Sequence, residues 1–130
     1  MKYLEQWVES LVSTHSLGVS RPIRVEGVRV AHLGPKLEVA RIEFLVENAD
    51  AFCVVVAEPN IDPAAYAFRY IDYAVFGLLD VLLVAEDYPL RNIRVTVVSI
   101  GIDPVSSSMM AFRRAGRDAG RKVLQACRGP

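Results

Sequence analysis

Ile93-Arg94-Val95-Thr96-Val97-Val98-Ser99-Ile100-Gly101-Ile102, followed by Asp103-Pro104 and then by Val105-Ser106-Ser107-Ser108-Met109-Met110-Ala111-Phe112, is the stretch on which the fold turns. Its first ten residues are β-branched at most positions and read as a strand entered through Tyr88-Pro89. Asp103-Pro104 stops that strand, because proline cannot donate to a ladder. The serines then offer N-cap side chains to a long helix, expected from about Ser107 to Cys127. Strand, polar loop and helix in this order lay the end of the chain against a sheet.

Upstream, Pro59-Asn60-Ile61-Asp62-Pro63 breaks the chain, with Asp62 as a candidate N-cap and Pro63 at the first helical position. A helix is expected from there to about Ala85. It is apolar nearly all round, and Arg69, Asp72 and Asp80 form its one narrow polar stripe. Three strands are expected before it. Ile23–Ala31 is ended by Gly34-Pro35. Leu37–Val46 alternates, with Ala40, Ile42, Phe44 and Val46 on one face and Val39, Arg41 and Glu43 on the other. Phe52–Ala57 is apolar throughout, which predicts a central strand covered on both faces. At the N-terminus, Leu4, Trp7, Val8, Leu11 and Val12 recur at helical spacing and predict an amphipathic helix over about Tyr3 to Thr14. Polar residues to Pro22 link it to the rest.

The chain has 130 residues, 52% of them hydrophobic, enough for one core and one domain. Fifteen basic and fifteen acidic side chains cancel. Their distribution is uneven: residues 1–100 carry nine Lys/Arg against thirteen Asp/Glu, and residues 101–130 six against two. The C-terminal end is therefore a local basic surface on a neutral protein. Cys53 and Cys127 lack C-x-x-C spacing and read as reduced, packed side chains rather than a bridge or a metal pair. No secretory signal pattern opens the chain, and Arg69, Asp72 and Asp80 interrupt its longest apolar segment. The expectation is a cytoplasmic protein that does not engage a membrane.

From Pro63 to Arg128 the chain resembles domain IV of translation elongation factor G. Pro63-x-x-Tyr66 is similar to that family's Pro-x-x-Tyr helix start, and Tyr88-Pro89 to the turn into its last strand. Asn92-Ile93-Arg94-Val95-Thr96 stands where the family has an Asp-Val-Lys-Val-Thr type of strand. Val105 to Phe112 is similar to its Val-Asp-Ser-Ser-Glu-Met-Ala-Phe type of helix start. The likeness covers about half of the chain. It implies an α+β, split β-α-β fold of ribosomal-protein type: a four-stranded sheet with two long helices on one face, here plus an extra N-terminal helix. It divides the chain into residues 1–20, a helix and linker without counterpart, and residues 21–130, the domain IV-like part. The departures bear on function. Asp103 stands where the family's loop carries a histidine that reaches the decoding site. Ser106 and Met109 replace its capping Asp and Glu, so the capping box is lost. No Gly-x-x-x-x-Gly-Lys-Ser/Thr loop is present, and no GTP binding is expected.

Two candidate sites follow. Asp103, Ser106, Ser107 and Ser108 stand at a helix N-terminus, where hydroxyls, free N–H groups and the helix dipole can hold an anion, or simply cap the helix. Arg113, Arg117 and Arg121 recur at i, i+4, i+8, and Arg128 extends the stripe to roughly 22 Å. Arg114 and Lys122 widen it. Opposite lie Phe112, Ala115, Gly116, Ala119, Val123 and Ala126, small enough to let the helix sit close to a sheet. Such a stripe is either a solvated face or a contact for phosphates, and its preference for arginine favours a phosphate or carboxylate partner. His15 and His32 complete no catalytic or metal constellation, and no cofactor is expected. The leading expectation is a non-catalytic module that contacts RNA or the ribosome. The alternatives are a homo-oligomer built through the Tyr66–Val84 helix, or a small-molecule enzyme on the same fold.

Overall fold

The computed structural model describes residues 3–5, 19, 21–59, 61–85 and 90–128. The fold is α+β. Strands β1 (Ile23–Leu33), β2 (Lys36–Asn48) and β3 (Cys53–Val56) are followed by helices α1 (Ala64–Ala67) and α2 (Tyr70–Leu82). Strand β4 (Ile93–Gly101) and helix α3 (Met109–Arg128) complete it. The sheet order is β1-β2-β4-β3, with β1–β2 and β2–β4 antiparallel and β3–β4 parallel. Strand β4 therefore inserts between β2 and β3, which are consecutive in sequence. The two long helices cover one face of this sheet, as the resemblance implied.

Hairpin β1–β2 closes through Gly34-Pro35, where Gly34 takes a φ of +64° that favours glycine. The alternation of β2 holds: Ala40, Ile42, Phe44 and Val46 are all buried. On β4, Ile93, Val95 and Val97 point the same way. A bulge then pairs Glu43 with Ser99 and Phe44 with Val97, leaving Val98 extra. That added residue flips the parity, so that Ile100 lies opposite Ile42 and returns to the core side. The other sheet face is a lattice of ion pairs, Arg24–Glu43, Arg41–Glu26 and Arg94–Glu47, all partly exposed.

Three expectations are corrected. The Phe52–Ala57 run is an edge strand rather than a central one, pairing among the described residues only with β4, and Val55 is exposed. Its buried face and the N-terminal turn beside it account for its apolar character; the Val54 N–H donates to Glu5 Oε1 at 3.2 Å. The helix expected from Pro63 to Ala85 is two helices, broken at Arg69, whose φ is +60°. A left-handed arginine costs about 1–2 kcal/mol. Here its guanidinium is held by Asp72 (3.1 Å) and by the Tyr3 hydroxyl (3.3 Å), and that hydroxyl also donates to Asp72. Asp62 does meet the helix start, accepting from the Ala64 N–H at 2.9 Å. The last helix begins at Met109 rather than Ser107.

The N-terminal helix is described only over Tyr3–Glu5, which is helical and buries Leu4 completely. Trp7 and Tyr88-Pro89 lie outside the described residues. The described part of α2 buries most of its apolar surface within the chain. Tyr66 and Phe68 before it and Val84 after it are exposed.

The two long helices touch backbone to backbone. A Cβ on Gly77 would stand 1.9 Å from the Arg113 carbonyl oxygen, and one on Gly116 1.9 Å from the Ala74 oxygen. On its other side α3 rests on β1, where a Cβ on Gly27 would lie 2.1 Å from the Ala115 oxygen. Thus Ala115 faces the sheet as expected, but Gly116 faces α2. Phe112 fills the gap ahead of these contacts, stacked on Tyr70 with ring centroids 4.6 Å apart. Helix α3 is fixed from two sides, and its polar side chains have defined positions.

Candidate anion-binding face

Glu38 continues the inward-facing set of β2 past the end of the apolar core, and its side chain is only 4% exposed. A buried carboxylate needs partners, and two arrive from different elements. Arg29 Nε on β1 donates to Glu38 Oε1 at 2.7 Å. Arg114 Nη1 on α3 donates to both carboxylate oxygens, at 2.9 and 2.7 Å. Burial pushes the Glu38 carboxyl pKa up, but the hydrogen bonds and charges of Arg29 and Arg114 outweigh it and leave the group below its ordinary range.

Asp80 of α2 repeats the arrangement on the other flank of α3. Arg113 approaches it with two nitrogens, at 2.8 and 2.9 Å, and Arg117 Nε adds a third contact at 2.9 Å. Burial again raises the carboxyl pKa, and the two arginines lower it further than burial raises it. The bidentate hydrogen bond to Asp80 in turn raises Arg113 above its ordinary value.

Asp118 and Lys122 serve the free edge of β1. Asp118 Oδ2 accepts from the Val28 N–H at 3.0 Å, and Lys122 Nζ donates to the Glu26 carbonyl at 2.6 Å. The two side chains pair with each other at 3.0 Å. For Asp118, burial is outweighed by the Val28 N–H, by Lys122 and by the charge of Arg121, so its carboxyl also lies below the ordinary range. Arg121 is exposed and makes no ion pair among the described residues.

Between α3 and β1 these side chains enclose an open-sided cleft of about 340 Å³ lined by Val28, Arg29, Arg114, Arg117, Asp118 and Arg121. Its charge is unbalanced. Its lining carries four arginines against the single carboxylate of Asp118. Over both flanks of α3 and the adjoining strand, Arg29, Arg113, Arg114, Arg117, Arg121 and Lys122 bring six positive charges against one each on Glu38, Asp80 and Asp118. Glu38 and Asp80 are each shared by two arginines, an arrangement that orders both cations and neutralises one.

The arginine stripe is therefore not the uniformly solvated face that helical spacing suggested. Arg113 and Arg117 are tied to α2, Arg114 to the sheet, and Arg121 projects from the surface; nothing is described of the Arg128 side chain. The Asp103–Ser108 segment is a turn bonded within itself and to β2. Asp103 Oδ1 accepts from the N–H groups of Val105 (2.9 Å) and Ser106 (3.0 Å). Ser107 Oγ donates to the Val39 carbonyl at 2.7 Å and accepts from the Asp103 N–H at 2.9 Å. Ser108 Oγ caps α3 by accepting from the Ala111 N–H at 3.0 Å. Ser106 is buried, and its carbonyl accepts from the Val39 N–H at 3.1 Å. These four residues serve the turn and the cap, and none of them lines the cleft. Arg29, Glu38 and Asp118 are the additions. Parity along β2 was the available signal for Glu38, a charge on the same face as Ala40 and Ile42 that requires a cation.

Among the described residues no cluster of His, Cys, Asp and Glu could hold a metal ion, and no helix is long and apolar enough to cross a membrane. No known protein family's sequence profile matches the chain, and no curated protein matches it. Solved structures do. One, the crystal structure of a protein from Thermus thermophilus, superimposes with a TM-score of 0.69 at 16% identity over 81% of this chain. The matched part is 16% of that much longer chain. The likeness is one of fold.

Proposed function

We propose that the chain is a non-catalytic binding module that contacts phosphate-rich RNA through α3 and the strand beside it, as the resemblance to elongation factor G domain IV implies. The observation that carries this reading is the surplus of three positive charges around α3 and the strand beside it, arginine in all but one of its cations. Guanidinium groups held in place by carboxylates lose little further freedom on meeting a phosphate. The lining offers no aromatic platform for stacking bases, so contact through the backbone and little sequence preference are expected.

Ribosome co-sedimentation and RNA filter binding test the proposal. Neutralising about three phosphates gives a log–log salt slope near −2 to −3, a roughly twenty- to fortyfold loss between about 50 and 200 mM salt. Arg121→Glu should weaken binding without altering the fold. Wild-type protein that binds neither RNA nor ribosomes at low salt would overturn the reading. Self-association is the second reading, favoured by exposed Tyr66, Phe68 and Val84 flanking α2. A 14.4 kDa species in sedimentation equilibrium at micromolar concentration would exclude it.

A further inference from the structure

We propose that the cleft between α3 and β1 binds a phosphate group carrying two or more negative charges, a terminal phosphate or a diphosphate, held by Arg29, Arg114, Arg117 and Arg121. The inference rests on the reading of this face as a phosphate contact and adds the kind of phosphate it takes. Four arginines line the cleft, one from a strand and three from α3. Arg29 and Arg117 each use Nε for their carboxylate, and Arg114 uses Nη1. Each keeps at least one terminal nitrogen for a ligand, in a fork whose direction is already set. Arg121 supplies a complete fork.

The lining decides the ligand class. Its single apolar residue is Val28, so nothing in it recognises a base or an acyl chain. A volume of about 340 Å³ is at the small end for ligand sites, sufficient for one or two phosphate groups. An internal phosphodiester carries one negative charge, too little to balance the four arginines that line the cleft beside one carboxylate. A terminal phosphate carries about −1.5 to −2 near neutral pH, and a diphosphate carries more. Asp118 opposes entry less than an unpaired carboxylate would, because Lys122 and the Val28 N–H already engage it.

Isothermal titration of the full chain with inorganic pyrophosphate in low-salt buffer tests the cleft directly. Saturable one-to-one binding is expected, weakened about tenfold or more by Arg121→Gln, which removes one charge-assisted fork. Arg29→Lys keeps the charge beside Glu38 but loses the fork, and should also weaken binding. Arg24→Gln, on the opposite sheet face, should leave it unchanged. The second arm compares an RNA oligonucleotide carrying a 5′-phosphate with the same oligonucleotide ending in a 5′-hydroxyl. Preference for the phosphorylated end identifies an RNA terminus as the source. Equal RNA affinities beside variant-sensitive pyrophosphate binding identify a free diphosphate. RNA binding with no response to pyrophosphate overturns the cleft inference and leaves the RNA contact standing. Pyrophosphate binding insensitive to Arg121→Gln and Arg29→Lys also overturns it. Pyrophosphate binding with no RNA binding overturns the RNA reading alone.

Discussion

Glu38 shows how one side chain can serve both folding and recognition. Its carboxylate holds Arg29 and Arg114 at fixed positions, and each of those arginines keeps donors for a ligand. Glu38→Gln keeps the shape but removes the charge that the two cations share. A loss of about 1–3 kcal/mol in urea unfolding is expected, moderated because both arginines are partly exposed to water. The pH dependence has a definite direction. Glu38 and Asp80 titrate below their ordinary values of 4.5 and 3.8 when folded, so the unfolded chain binds more protons in acid. The stability they contribute is complete above about pH 4.5 and is lost as the pH falls through the folded values. Thermal melts from neutral pH down to about pH 3 should show this loss, and Glu38→Gln should flatten it. The sequence held the clue to Glu38 in its parity with Ala40. Nothing local marked Arg29 as its partner, because only the register of the β1–β2 hairpin brings the two together.

At the scale of elements, the crossing of α2 over α3 sets everything the basic face can do. Gly77 and Gly116 allow a backbone contact that any side chain would prevent. Gly116→Ala should cost about 1–3 kcal/mol or more by overpacking. Because α3 must move to relieve the clash, the same variant should weaken anion binding, although Gly116 touches no ligand. Gly101→Ala, whose Cβ would come nearest to the Arg41 side chain at 3.3 Å and to no helix backbone at the distances seen for Gly77 and Gly116, is the control and should leave both properties nearly unchanged. The long elements were legible because their hydrophobic periods are clean: β1, β2, β4 and α3 fall within a few residues of expectation. The break at Arg69 was not. Arg69 there meets Tyr3, sixty-six residues away, and no helical propensity in the segment records that contact. The position of β3 was equally hidden, since an apolar run reads the same whether two strands flank it or one strand and a helical turn.

For the molecule as a whole, charge separation along the chain becomes charge separation in space. Acidic and basic residues on the outer sheet face largely pair with each other, whereas the face of α3 keeps its surplus. Raising salt should therefore weaken anion binding strongly and leave the melting temperature almost unchanged, since exposed pairs contribute little stability. Parallel melts and binding isotherms from about 50 to 300 mM salt would check the contrast. Hydrogen exchange can probe the outer boundary of the sheet. Asp118→Ala should accelerate exchange at the Val28 amide, whose acceptor among the described residues it removes.

The side chains that meet the outermost strands have a consequence for growth. At one boundary Asp118 and Lys122 occupy a donor and an acceptor that another chain would need, and at the other Glu5 occupies a donor. Each imitates the next strand with a single functional group and then stops. A second copy arriving at β1 meets occupied groups at Val28 and Glu26, and one arriving at β3 meets an occupied N–H at Val54. Extension of the sheet by a second copy is opposed at those positions as long as the three side chains stay in place.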